Sequence, residues 1–171
     1  MSELTKLDID LVGLGNFLMN KKLTVPTYQR SYAWTDKQVN DLLLDISNAI
    51  DNSEPEYFIG TIVTTKNSSK RPEVVDGQQR LATVTIILAA IRNYFFQVGD
   101  VQRADEINST YLFSRDLKTL ELIPKLKMNL NDQEFFTNSI LTIPQTDSPV
   151  ELIAQKSSHE RIKNCITDGI T

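Results

Sequence analysis

Apolar residues recur along the chain at two periods, and the changes from one to the other mark its elements. Leu11, Leu14, Phe17 and Leu18 share one helical face and predict a short helix over residues 11–20. Leu23-Thr24-Val25 predicts a short strand, ended by Pro26. Thr35-Asp36-Lys37-Gln38 has the Thr-x-x-Gln spacing of a capping box, and Val39, Leu42, Leu43, Ile46 and Ile50 follow at helical spacing. Residues 35–51 therefore predict an amphipathic helix with Asp41 and Asp45 on its outer side. Residues 57–65 are rich in β-branched and aromatic side chains and predict a strand. A turn at 66–70 and a returning strand at 72–75 complete a hairpin. Gly77 then opens the longest helical pattern, with Leu81, Val84, Leu88, Ile91 and Phe95 as its buried stripe and Gly99 closing it.

The second half carries weaker signals. Residues 101–112 fit a helix, and 121–130 fit a strand interrupted by Pro124. Asn131-Asp132-Gln133-Glu134 resembles another helix start, leading into Phe135, Phe136 and Ile140. Residues 142–149, with Pro144 and Pro149, form a linker, and a last amphipathic helix runs from about Val150 through Ile153 to Ile162 or Ile166. The expected fold class is α+β: a mixed α/β core over 1–98 and a helical subdomain over 99–171.

Composition narrows what such a fold does. At 171 residues the chain buries a core without disulfides or metal. Its longest apolar run, residues 86–91, is far short of the ~20 that span a bilayer. Met1-Ser2-Glu3-Leu4-Thr5 has neither the basic region nor the apolar core of a signal peptide. A single cysteine, Cys165, excludes an internal disulfide and fits a reducing compartment, so a cytoplasmic location without membrane contact is expected. With His159 as its one histidine, the chain lacks the usual Cys/His sets for zinc and the histidine pairs of HExxH proteases or His-based nucleases. There is no GxxxxGK[ST], and Gly13-Leu14-Gly15 starts like a dinucleotide fingerprint but has Leu18 where the third glycine belongs. Net charge is −4, which argues against a general DNA-coating protein. Lys21, Lys22, Arg30 and Lys37 nevertheless leave room for a local basic surface.

Two polar constellations stand out. Val75-Asp76-Gly77-Gln78-Gln79-Arg80-Leu81 lies where a strand ends and the long helix begins. Such a junction aims unpaired backbone N–H groups and the positive end of the helix dipole at one point. Gly77 permits close approach of the backbone to a ligand. Asp76 can cap the helix, hold a cation or act as a base. Arg80 offers a fixed, always-charged fork suited to phosphate, and Gln78 and Gln79 can orient a water or bind a base or sugar. The plain alternative makes Asp76 the N-cap, Gly77 a turn residue and the glutamines exposed first-turn residues.

The second constellation is Val25-Pro26-Thr27-Tyr28-Gln29-Arg30-Ser31-Tyr32-Ala33-Trp34. Its aromatics, interleaved with Gln29 and Arg30, can stack on a base or clamp a phosphate, or else anchor the loop to the core. The core role is preferred for Trp34.

These two motifs, with Tyr57-Phe58-Ile59-Gly60-Thr61-Ile62-Val63 between them, resemble the family called domain of unknown function 262. That family forms the N-terminal part of GmrSD-type, modification-dependent restriction systems. The resemblance covers residues 8–98 and continues through Lys125-Leu126-Lys127-Met128, Asp132, Phe135 and 158–162. It implies a fold similar to the ParB and sulfiredoxin group and an activity of binding and hydrolysing nucleoside triphosphates. By resemblance, Asp76, Gln78 and Gln79 would be catalytic, with Asp76 also holding a divalent cation, magnesium, beside the nucleotide. Gly77, Arg80, Gln29 and Arg30 would bind the nucleotide. Where the family usually carries a threonine after the leucine this chain has Ala82, and Thr83 would supply the hydroxyl. Tyr28 and Tyr32 would contact DNA or a base.

Relatives often carry an HNH-type nuclease domain, which one histidine cannot supply. The expected partners are therefore a nucleoside triphosphate, DNA in modified form, and a separate nuclease domain or subunit, with a homodimer among the assemblies open to the chain. The runner-up is a non-enzymatic module that recognises modified DNA and leaves cutting to that partner. A sulfiredoxin-like redox enzyme is set aside, because Cys165 lies far along the chain from the motif.

Overall fold

Short elements wrapped around one long helix make up the structure, a computed structural model that describes residues 8–65, 71–143 and 153–167. In chain order they are α1 (Leu14–Asn20), β1 (Leu23–Thr24), α2 (Asp36–Asp51), β2 (Val63–Thr64), β3 (Val74–Asp76) and α3 (Gln78–Gln97). Then follow α4 (Val101–Ile107), which runs into a π-helical turn Asn108–Leu112, and β4 (Phe113–Arg115), β5 (Leu122–Pro124) and β6 (Leu126–Lys127). The chain ends with α5 (Gln133–Phe136), a second π-helical turn Thr137–Leu141, and α6 (Ser157–Thr167). Helices with small sheets give the expected α+β class. The expected turn at 66–70, most of the 142–149 linker and Val150 lie outside the described residues, whereas the last helix, expected to run through Ile153, begins at Ser157 and leaves Ile153 exposed in irregular chain.

α2 forms where its sequence predicts. Gln38 Oε1 accepts from the Thr35 N–H at 2.8 Å and from the Thr35 hydroxyl at 2.7 Å, and Val39, Leu42 and Ala49 turn inward. α3 also ends as expected: the Gly99 N–H reaches Phe96 O and the Asp100 N–H reaches Phe95 O, which satisfies the last carbonyls. Its buried surface is broader than one stripe. Residues 81–86 are all buried, with Ala89, Ala90 and Arg92, whereas Ile91 is exposed. The reason is tertiary: α3 packs against α4, both π turns, β6 and α6, so apolar periodicity alone does not describe its environment.

The predicted strand over 57–65 contracts to Val63–Thr64, which pairs antiparallel with β3. Residues 57–62 run outside any strand, and Gly60 takes φ +108, which an extended strand does not allow. Among the described residues there are three two-stranded sheets. β1 pairs parallel with β6, β2 antiparallel with β3, and β4 antiparallel with β5. A single bridge from Thr24 to Glu73 ties β1 to the chain entering β3. One apolar cluster extends from Leu18, Leu23 and Val25 through Leu81 and Ile86 to Leu126, Phe136, Ile162 and Cys165, crossing position 98.

Candidate functional site

β3 delivers the chain to the start of α3 at Asp76, and Gly77 makes the corner. Its φ of +85 disfavours any side chain, and a Cβ there would lie 3.0 Å from Thr61 O and 3.1 Å from Ile62 Cγ1. Gly77 is itself the N-cap of α3, and no side chain caps the helix. The plain reading of Asp76 as N-cap gives way here. Its Oδ1 accepts from the Gly77 N–H at 2.8 Å, one residue too early to cap, and Asp76 stays exposed. A twenty-residue helix thus begins with uncapped N–H groups beside an exposed carboxylate.

The loop 26–34 lies against this corner and is held from two sides. On the α3 side, Gln79 Oε1 accepts from the Ala33 N–H at 2.7 Å while its Nε2 donates to Ser31 O at 3.3 Å. Gln29 Nε2 donates to Val75 O at 2.8 Å, and Gln78 Nε2 reaches Arg30 O at 3.5 Å. On the other side, Asn129 Nδ2 donates to Gln29 O at 3.2 Å. Asp132, wholly buried, accepts from the Tyr32 N–H through Oδ2 and from the Ser158 hydroxyl through Oδ1, each at 2.7 Å. The two motifs, about fifty residues apart in sequence, therefore form one unit.

Their side chains divide into engaged and open groups. Tyr32 is 1% exposed, and its hydroxyl bonds the Thr83 hydroxyl at 2.8 Å, which donates in turn to Gln79 O. Burial pushes the Tyr32 phenol well above its ordinary range. Neither Tyr32 nor the fully buried Thr83 offers a surface to a base or nucleotide, so both expectations are corrected: the two residues pin the loop to α3. Gln79 has both ends of its amide engaged on the loop backbone, which corrects its catalytic reading to a positioning one. Tyr28, at 70% exposed, and Arg30 remain open at the surface. Arg80 is half-buried, with Nη1 donating to Thr61 O at 3.2 Å. Gln78 is buried, at 7% exposure, and its Oε1 has no partner among the described residues. A buried amide oxygen without a donor is costly and marks a place where a further group fits.

Cys165 is buried in the core, where desolvation pushes its thiol up to about 11, so it is no nucleophile. Among the described residues no three Asp, Glu, His or Cys side chains gather as a metal set. One exposed carboxylate at a helix start still fits magnesium, which binds through one or two carboxylates together with phosphate oxygens.

Asn129, Asp132 and Ser158 escaped the motif reading. Asp132 looked like part of a helix start, and only its inclusion in the resemblance hinted at more. Because Gln79 holds two backbone groups, Gln79→Leu is expected to destabilise the fold by about 1–3 kcal/mol, the scale of a buried N–H left unpaired. Urea unfolding checks this, and an unchanged midpoint would remove the clamp.

Comparison with curated proteins finds none that matches the chain. A protein-family model described as "GmrSD restriction endonuclease, N-terminal domain" matches residues 14–168, from the first residue of α1 to just past α6.

Proposed function

The chain belongs to the family of GmrSD restriction endonuclease N-terminal domains, and from that premise we propose that it binds and hydrolyses a nucleoside triphosphate at the β3–α3 corner, as the regulatory domain of a modification-dependent restriction system. The observation that carries the reading is the uncapped start of α3, with an exposed carboxylate, a half-buried guanidinium and an orphaned amide oxygen around it. The backbone N–H groups of the first turn and the helix dipole favour an anion there. Gly77 turns the chain into the helix, with the 61–62 segment packed where a side chain would stand, and the Arg80 fork binds phosphate oxygens. Gln78 Oε1, buried beside the corner, accepts from an interior water. Arg30 and Tyr28 on the loop extend the site toward solvent, where a base or DNA meets them. A divalent cation, when bound with the nucleotide, neutralises phosphate charge, and Asp76 is the carboxylate that would hold it.

Thermal unfolding with ATP, GTP, CTP and UTP, with and without magnesium, tests this. At a ligand concentration one hundred times Kd, the native state gains about 2.7 kcal/mol. One nucleotide is expected to raise Tm by several degrees with magnesium and by less without it. No shift with any of them would overturn the proposal and favour a module that recognises modified DNA without hydrolysis.

A further inference from the structure

Arg80 does not reach toward the corner unsupported. An ideal Cβ built on Gly60 would lie 2.7 Å from Arg80 Cζ and 2.9 Å from each of Nη1 and Nη2. Near-equal distances to the three atoms mean that the glycine faces the flat side of the guanidinium, not its edge. Nη1 then donates in the plane to the carbonyl of the next residue, Thr61, at 3.2 Å. One face and one N–H are thereby fixed by residues 60 and 61, and among the described residues no other hydrogen bond holds the fork. The segment carrying this seat is anchored too, since the Tyr57 hydroxyl donates to Asp45 on α2 at 3.0 Å.

We infer that Gly60 is a positioning residue for Arg80: its missing side chain is the seat that orients the guanidinium toward an anion at the start of α3. The inference rests on the phosphate-binding reading of that corner for its purpose, but not for its geometry. Any side chain at residue 60 occupies the guanidinium's place and swings the fork away. The φ of +108 adds strain for a substituted residue, but that strain is independent of Arg80.

A double-mutant cycle separates the two effects. Urea unfolding of the parent, Gly60→Ala, Arg80→Ala and the double variant requires no nucleotide. If Gly60 is the seat, Gly60→Ala destabilises the parent somewhat more than it destabilises Arg80→Ala, because backbone strain cancels in the cycle and what remains is the guanidinium's displacement from Thr61 O. Equal losses in both backgrounds overturn the inference. Should Gly60→Ala alone fail to fold, its recovery in the double variant supports the seat, and failure of both overturns it. Nucleotide affinity is the second readout, one that a purely structural glycine would not move at matched stability. Gly60→Ala is expected to weaken binding by roughly tenfold, close to Arg80→Ala, with no further loss in the double variant. If the parent binds none of the four nucleotides, the functional reading falls while the unfolding cycle still decides the seat.

Discussion

Asp76→Asn is expected to leave the fold intact and reduce nucleotide hydrolysis by roughly 100-fold or more, the usual scale for a lost acid–base group. The N-cap of α3 is Gly77, and the only bond the carboxylate makes within the described residues is from the Gly77 N–H, which an asparagine oxygen accepts equally well. Stability should therefore change by no more than about 0.5 kcal/mol, as at other exposed sites. The formal charge is a different matter. A divalent cation selects carboxylate over amide oxygen, so magnesium-dependent binding weakens along with turnover. Purified variant and parent compared by phosphate release and by thermal unfolding give the answer. Equal turnover would remove the carboxylate from the chemistry, and a large fall in Tm would make it structural.

The largest expected loss of stability lies elsewhere, at Arg92. This side chain is wholly buried on α3, and its acceptors are all neutral. Nη1 donates to Leu141 O at 2.7 Å and Asn108 Oδ1 at 3.0 Å, and Nη2 donates to Ile140 O at 3.0 Å and Asn93 Oδ1 at 2.9 Å. Burial lowers its pKa to about 10, still far enough above neutrality to keep the charge. The carbonyls at the end of the Thr137–Leu141 turn carry the negative end of that turn's dipole and offset the cation. Arg92→Met keeps the bulk but strands these carbonyls, which no further substitution can remove. A loss of about 3–5 kcal/mol is expected, the sum of at least two buried carbonyls left without a donor at about 1–3 kcal/mol each, and Tm falls by roughly 6–20 °C. Arg92→Lys retains one donor group and should fall between. A neutral or stabilising Arg92→Met would mean that the turn holds itself.

The sequence read best where local chemistry and tertiary environment agree. The capping box of α2, the corner at Gly77 and the closing Gly99 are local devices, and each forms where its residues predict. Residues 57–62 failed for the opposite reason: their composition favours a strand, but the Arg80 contact over Gly60 and the tether at Tyr57 draw the segment away from pairing. Buried polar residues were the least legible. Arg92, Lys125 and Asp132 are all interior, and no apolar pattern along the chain marks them as such. Lys125, for example, donates to Met19 O and Thr110 O, joining the end of α1 to the first π turn. At the candidate site, the pairing of the two motifs was readable, but which side chains face inward was not. Tyr32, Thr83 and Gln79 turn inward because a loop of bare backbone needs partners, and no pattern along the chain announces that need.

The clamp of Asp132 on Tyr32 also dictates when the site comes into being. One hundred residues separate the two partners, and β1 waits equally long for β6. A ribosome adding about 5–20 residues per second leaves roughly 5–20 s during which the first motif has been made but its far-side support has not. For the first part of that interval α3 itself is still to be made, and from its completion until Asp132 follows the nascent loop has only its α3 contacts, with the corner half assembled. The candidate site is therefore assembled late in the chain's own synthesis, when the far-side support of its loop arrives.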